Sequence, residues 1–148
     1  GFFITPWSLI VTVMAPIGGR LVERFHAAYL CGGGLLVLGL GMVLLATIPE
    51  SPTIPDIIWR MLVCGCGFGF FQTPNMKAIM SSAPAARSGS ASGALATARL
   101  FGQTLGAALA ALCFSLFDHQ GAAYALGLGA MVALIGSLIS FMRLFASR

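Results

Sequence analysis

Five long apolar runs, separated by short polar or proline-containing connections, set the strongest limit on how this chain can fold. A membrane-spanning helix needs roughly 20 predominantly apolar residues, and the runs cover residues 2–18, 28–48, 57–79, 93–117 and 121–142. Only 8% of the 148 residues are charged, whereas a soluble domain carries about 25%. The sequence therefore predicts an all-α membrane protein with five transmembrane helices in a single membrane domain over residues 1–148.

The basic residues indicate how these helices cross the membrane. Connections on one side carry six of the eight Lys and Arg residues, namely Arg20, Arg24, Lys77, Arg87, Arg143 and Arg148. The other side carries Arg60 together with the acids Glu50, Asp56 and Asp118. Cytoplasmic loops are rich in Lys and Arg, so we expect a multi-pass protein of the bacterial inner membrane with a cytoplasmic C-terminus at Arg148. Because the chain is already apolar at Phe2 and lacks an initiator Met, we also expect it to be a piece of a longer protein.

Several classes of function are disfavoured by the sequence. The basic residues are spread singly rather than clustered, which argues against a nucleic-acid partner. Cys64 and Cys66 point about 200° apart on a helix, which is poor geometry for one metal ion. The glycines Gly65, Gly67 and Gly69 lack the preceding strand of a dinucleotide fingerprint and instead predict close helix packing. We expect no enzyme, no catalytic residue, no metal and no cofactor.

The third run contains the polar residues of greatest interest. On a helix, Phe68, Gln72 and Asn75 share one face because they are spaced by four and three residues, and Phe71 lies close to them. Polar side chains in hydrocarbon face the bundle interior or a water-filled cavity. Two interpretations stay open: these residues line a cavity for an amphiphilic substrate, or the amides bond a neighbouring helix. Pro74 removes one backbone hydrogen bond here and permits a bend.

Arg99 and Gln103 form a second polar pair, one turn apart in the fourth run. An arginine within a membrane costs a few kcal/mol on insertion scales unless it snorkels or pairs. Either it reaches the interface and bonds structurally, or it takes part in substrate binding or gating. No acid lies within any of the five runs. If transport is coupled to protons, we expect the coupling group to lie outside this chain.

The connection between the first two runs resembles a known loop signature. The stretch APIGGRLVERF, residues 15–25, resembles the signature Gly-x-Leu-x-Asp-Arg-x-Gly-Arg of the major facilitator superfamily. Gly19, Leu21, Glu23 and Arg24 fit this pattern, with Glu in place of Asp, and His26 replaces the second Gly.

The stretch from Phe68 to Ala110 resembles the closing segment of the fourteen-helix drug:proton antiporters in that superfamily. The matching positions are Thr73, Pro74, Asn75, Pro84, Arg87, Gly89, Ser92, Gly93, Arg99, Gly102 and Gly106. This resemblance implies that the five helices form most of the C-terminal half-bundle of a major facilitator fold. It places the third helix at a central cavity, the first and fourth between the two halves, and the second and fifth against lipid.

The same resemblance implies a function and a set of partners. The protein would export amphiphilic drugs or cations by proton antiport, with alternating access to the two sides of the membrane. Substrate contact would come from Phe68, Phe71, Gln72 and Asn75, and gating or structural roles from Gly19, Glu23, Arg24, Pro74, Arg99 and Gln103. Its partners would be the small-molecule substrate, protons, the lipid bilayer and the missing N-terminal helices of the same chain. Transport of a sugar, organic acid or siderophore is the first alternative, and a non-transporting membrane scaffold is the second.

Overall fold

The computed structural model describes residues 5–49, 51–84, 87–117 and 120–146, and these residues form five helices joined by short connections. The helices are α1 (Thr5–Leu21), α2 (Ala27–Ala46), α3 (Ile54–Ser82), α4 (Ser88–Phe117) and α5 (Gly121–Ala146). The described part of the chain contains no β-strand, so the all-α prediction is confirmed. Positions of the topology prediction that lie outside the described residues are Gly1, Phe2, Glu50, Asp118 and Arg148.

Four of the helices are long and apolar enough to cross a membrane: α2, α3, α4 and, over Gly121–Met142, α5. The helix α1 has 17 residues and is shorter, as the first apolar run is. The helix α3 begins at Ile54, a few residues before the predicted run, because Pro55 fits the first turn of a helix. The Thr53 hydroxyl donates a hydrogen bond of 2.7 Å to Asp56 at this end.

The five helices pack as a chain of neighbours. The helix α3 lies between α1 and α2, while α2 also packs along α5, and α4 leans on α5. One side of α2 contacts its neighbours, and its other side leaves Leu36, Val37, Leu40 and Val43 exposed. At the α4–α5 connection, the rings of Phe117 and Tyr124 stack with centroids 4.2 Å apart. This order places α3 and α2 at the middle of the bundle and α4 at its edge.

Glycines allow α2 and α3 to cross with their backbones in contact. A Cβ atom added at Gly34 would lie 2.6 Å from the Phe71 backbone nitrogen. A Cβ added at Gly67 would overlap the Leu38 backbone nitrogen and lie 2.7 Å from the Leu38 Cα. A Cβ at Gly69 would instead lie 2.8 Å from the Cβ of Met14 on α1. The glycines of α3 therefore allow close approach of two different helices, α2 at Gly67 and α1 at Gly69.

The contact between α2 and α5 is fixed by two serine hydroxyls. Ser137, which is 2% exposed, donates a 2.8 Å hydrogen bond to the carbonyl of Gly32. Ser140 donates a 3.1 Å bond to the carbonyl of Ala28, one turn away on α2. Hydroxyls that bond across helices satisfy their own polarity within an apolar bundle. They also place the last turns of α5 beside the first turn of α2.

Candidate functional site

One end of the bundle gathers most of the basic residues that the structure describes. We call it the basic end, defined by the α1–α2 connection, residues 22–26, and the α3–α4 connection, residues 83–87. Arg20, Arg24 and Lys77 lie at or near this end, as does Arg87. Arg60 lies at the opposite end, where its guanidinium donates to the Leu44 carbonyl and sits 5.3 Å from the ring centroid of Trp59. The helices thus bring to one end of the bundle the basic residues that the sequence analysis placed on one side of the membrane.

An ion pair fastens the α1–α2 connection to α3 at the basic end. The Lys77 ammonium lies 3.2 Å from a carboxylate oxygen of Glu23, and both side chains are at least half exposed. The sequence did not predict this pairing, because Glu23 and Lys77 are far apart in the chain. A signal was nevertheless present: Glu23 is the one acid that the charge pattern places among these basic residues.

We expect this exposed ion pair to contribute little to stability. Changing Glu23 to Gln or Lys77 to Gln should each lower the free energy of unfolding by less than about 1 kcal/mol, because water and salt screen the attraction. Thermal unfolding of the two single variants and the double variant, at low and high salt, would measure this. A loss above about 2 kcal/mol would mean that the pair is far less solvated than its exposure implies.

A groove of about 660 Å³ lies between α1 and α3. We call it the α1–α3 groove. Its polar lining comes from Thr12, Gln72, Thr73 and Lys77, and its apolar lining includes Met76 and Met80. Amide and hydroxyl groups offer hydrogen bonds, and methionine side chains adapt to ligands of different shape. Thr12, Met76 and Met80 were not predicted from the sequence, because only the position of α1 brings them beside Gln72.

A second cavity, of about 730 Å³, lies between α2, α3 and α5 at the basic end. We call it the α2–α3–α5 cavity. Phe71 and Asn75 line it from α3, Ser140 lines it from α5, and Arg24 lies at its mouth. The structure therefore places Gln72 and Asn75 in different compartments. Three residues advance a helix by about 300°, so these positions differ by about 60°, and α1 and α2 pack against α3 on either side of that gap. Phe68 is half-buried on α3, one turn before Gln72.

The predicted motif residues Gly19 and Pro74 lie at the contact between α1 and α3. A Cβ added at Gly19 would meet the Thr73 methyl group at 3.6 Å, and Gly19 lines the α1–α3 groove. Pro74 is fully buried, and α3 continues through it to Ser82. The small residues of α1 thus sit against the part of α3 whose backbone hydrogen bonding proline interrupts.

The polar pair of α4 lies apart from both cavities. Arg99 and Gln103 are exposed, and neither lines a cavity described above. Among the described residues, the Arg99 guanidinium makes no ion pair or hydrogen bond. Gly102 and Gly106 have no atom within 4 Å of an added Cβ. The described part of this chain therefore makes no close helix contact at these two glycines.

The fold and these cavities define a multi-pass membrane protein in which polar side chains of one helix face ligand-sized spaces. This class includes the membrane transporters. The chain belongs to the Major Facilitator Superfamily, whose family model matches residues 1–107. This is a family of transporters and not of enzymes.

Known relatives support the same assignment. Over 148 residues the chain is 46% identical to the uncharacterized transporter YebQ of Escherichia coli K12, covering 100% of this chain and 32% of YebQ. It is 33% identical over 109 residues to multidrug resistance protein Stp of Mycobacterium tuberculosis, covering 74% of this chain and 20% of Stp. It is 27% identical over 124 residues to the riboflavin transporter RibZ of Clostridioides difficile, covering 84% and 26% of the two chains. The chain thus spans a third or less of each relative, and no solved structure matches it.

Proposed function

We propose that this chain forms part of the C-terminal half of a transporter that exports amphiphilic drugs or cations by proton antiport, with alternating access. The observation that carries this proposal is the α1–α3 groove, in which the Gln72 amide lies among threonines and methionines. The similarity to a protein named for multidrug resistance supports the substrate class. Gln72, with Phe68 one turn away, would contact the substrate.

The groove suits an amphiphile on physical grounds. Its volume of about 660 Å³ falls within the roughly 300–1,000 Å³ of ligand pockets. The described lining residues include no carboxylate, and the Lys77 ammonium at the groove is paired with Glu23. This side would therefore recognise a ligand by shape and hydrogen bonds. A carboxylate that binds a cation or a proton would come from the part of the protein outside this chain.

Efflux measurements on Gln72→Ala test the proposal. We expect the variant to lose efflux of a fluorescent lipophilic cation by about tenfold, the effect of losing roughly 1.4 kcal/mol of hydrogen bonding to the ligand. The amount of the Gln72→Ala protein in the membrane should equal that of the wild-type protein. Gln120→Ala, which removes an exposed amide near the α4–α5 connection, is the matched control. Normal efflux by Gln72→Ala would remove the groove from the substrate path, and absence of efflux by the wild-type protein would favour a scaffold.

A second candidate substrate class follows from the similarity to a protein named as a riboflavin transporter. A flavin is an amphiphile with a flat ring system, and hydrogen bonds from Gln72 and Thr73 would suit its polar edge as well as they suit a drug. Parallel assays of riboflavin and lipophilic-cation transport by the same cells separate the two candidates.

We propose that the α1–α2 connection and α4 take part in the change between the two states. Glu23, with Lys77, ties that connection to α3, and Gly19 lies beside Thr73 of α3. Pro74 would let α3 bend near its contact with α1. In the inward or outward state, Arg24 would contact neighbouring helix ends, and the exposed pair Arg99 and Gln103 would face the other half of the transporter.

We also propose that preceding helices of the same protein cover α4. Only Cys113 of this 30-residue helix is buried, and the open positions Gly102 and Gly106 would let another backbone approach closely. YebQ is about three times as long as this chain, which spans 32% of it, so its remaining residues leave room for such helices.

The proposed orientation puts the basic end of the bundle in the cytoplasm of a bacterial inner membrane. Single cysteines at Ser51 and Gln120, in a protein without its native cysteines, should react with an impermeant thiol reagent on intact cells. A cysteine at Ser82, exposed near the end of α3, should react only after the cells are opened. The reverse pattern would invert the topology and with it the direction of export.

A further inference from the structure

The α2–α3–α5 cavity has the form of a site for an amphiphile with one charged end. Exposed residues of the α1–α2 connection, including Arg24 and His26, form its mouth, and Leu35 and Phe71 form its inner wall. From His26 to Leu35 the chain of α2 rises by roughly 13 Å at 1.5 Å per residue. The cavity therefore runs from the level of the loops into the apolar part of the bundle.

The electrostatics of the mouth favour an anion. Among the described residues, Glu23 is the one acid that lines the cavity, and Lys77 neutralises it from 3.2 Å away. The Arg24 guanidinium makes no ion pair or side-chain hydrogen bond with the described residues. In addition, α2 begins at this mouth without a side-chain cap from His26, so its first amides and the positive end of its dipole add to the attraction. The mouth thus carries one uncompensated positive charge that faces the cavity.

The cavity also has apolar surroundings that reach the outside of the bundle. Phe25 and Ile139 line it and are 57% and 55% exposed. Tyr29, on the first turn of α2, is 56% exposed, and aromatic residues of this kind are common where membrane meets water. A ligand in this cavity would therefore remain in contact with lipid on one side.

We propose that the α2–α3–α5 cavity binds the headgroup of an anionic phospholipid from the leaflet at the basic end. The phosphate lies at Arg24 and the first turn of α2, and the Asn75 amide is a further donor. The Ser140 hydroxyl, which donates to the Ala28 carbonyl, can accept a hydrogen bond from a headgroup hydroxyl. The glycerol and first acyl carbons contact Phe71 and Leu35. A volume of about 730 Å³ holds these parts only, and the acyl chains continue along the exposed face of α2 and α5. The body of α3 separates this site from the α1–α3 groove, so the lipid site does not depend on which substrate is transported.

Lipid binding to the full-length protein in detergent tests the proposal. Native mass spectrometry and thermal unfolding would be compared with added phosphatidylglycerol, phosphatidylcholine or inorganic phosphate. Removing one arginine near an anionic headgroup is worth about fivefold in affinity, so Arg24→Ala should weaken phosphatidylglycerol binding by at least about that factor. Arg20→Ala is the matched control, because Arg20 is exposed in the last turn of α1 but lines neither cavity.

A second variant fills the cavity with a large side chain and leaves its charges unchanged. Ala78→Trp would fill the cavity from α3 and should abolish saturable phosphatidylglycerol binding, whereas Ala123→Trp, at an exposed position of α5 outside the cavity lining, should not. Equal binding of phosphatidylcholine, or equal losses in Arg24→Ala and Arg20→Ala, would overturn the proposal in favour of general attraction to the surface. If inorganic phosphate stabilised the protein against thermal unfolding as much as phosphatidylglycerol does, the proposal that a lipid occupies the cavity would be wrong.

Discussion

The variant Gly67→Ala is expected to lose most of its correctly folded protein, although it adds a single methyl group. That methyl would overlap the Leu38 backbone nitrogen and lie 2.8 Å from the Gly34 carbonyl oxygen. Both are main-chain atoms, so no side chain can rotate away, and the axes of α2 and α3 would have to separate. Overpacking of this kind costs about 1–3 kcal/mol and occasionally more, and we expect a cost of about 3 kcal/mol here.

Monodispersity and thermal unfolding of the detergent-solubilised full-length protein would measure this loss. Gly33→Ala is the matched control, because an added Cβ at Gly33 has no atom within 4 Å. Alanine also favours a helix over glycine by about 1 kcal/mol, so this control should be neutral or slightly stabilising. Equal behaviour of the two variants would show that α2 and α3 do not cross at Gly67.

The second large effect rests on the proposed cover of α4 by preceding helices and concerns residues 1–148 produced alone. We expect residues 1–148 alone to aggregate or to be degraded in the membrane, because α4 has little contact with its neighbours. Its exposed side chains include Leu100, Phe101 and Leu105, and the open glycines Gly102 and Gly106 give it a surface shaped for another helix. Without a partner, the packing that holds a helix in place is missing.

Co-production with the proposed preceding helices should restore a stable complex, detected by co-purification and by the amount of this chain in the membrane. Gly102→Leu should prevent the rescue, since a large side chain would hold the partner helix away. Leu128→Ala on α5, a 41% exposed position, is a control that leaves the α4 surface unchanged. A stable five-helix bundle without its partner would argue that α4 faces lipid, and it would remove the proposed contact with preceding helices.

The sequence predicted an all-α membrane protein because apolar runs long enough to span a bilayer report directly on membrane helices. The sequence could not show which glycine of α3 makes the closest helix contact. Gly65, Gly67 and Gly69 are equivalent in the sequence, yet Gly67 faces α2 and Gly69 faces α1, and only the positions of both neighbours decide which approach is tightest.

The polar face of α3 shows the same limit. Helical spacing predicts that Gln72 and Asn75 share one face, yet a difference of about 60° around the helix is enough for them to line separate spaces. Sequence spacing gives the angle between side chains. It does not show where α1 and α2 pack against α3, and these contacts decide which space each side chain lines.

The ion pair at the basic end has one more consequence, because its two members belong to different compartments. Glu23 lines the α2–α3–α5 cavity, and Lys77 lines the α1–α3 groove. An anionic headgroup beside Glu23 or a cationic substrate beside Lys77 would be repelled if that residue lost its partner. Both proposed guests therefore favour the closed pair, and this effect should fade as salt is added.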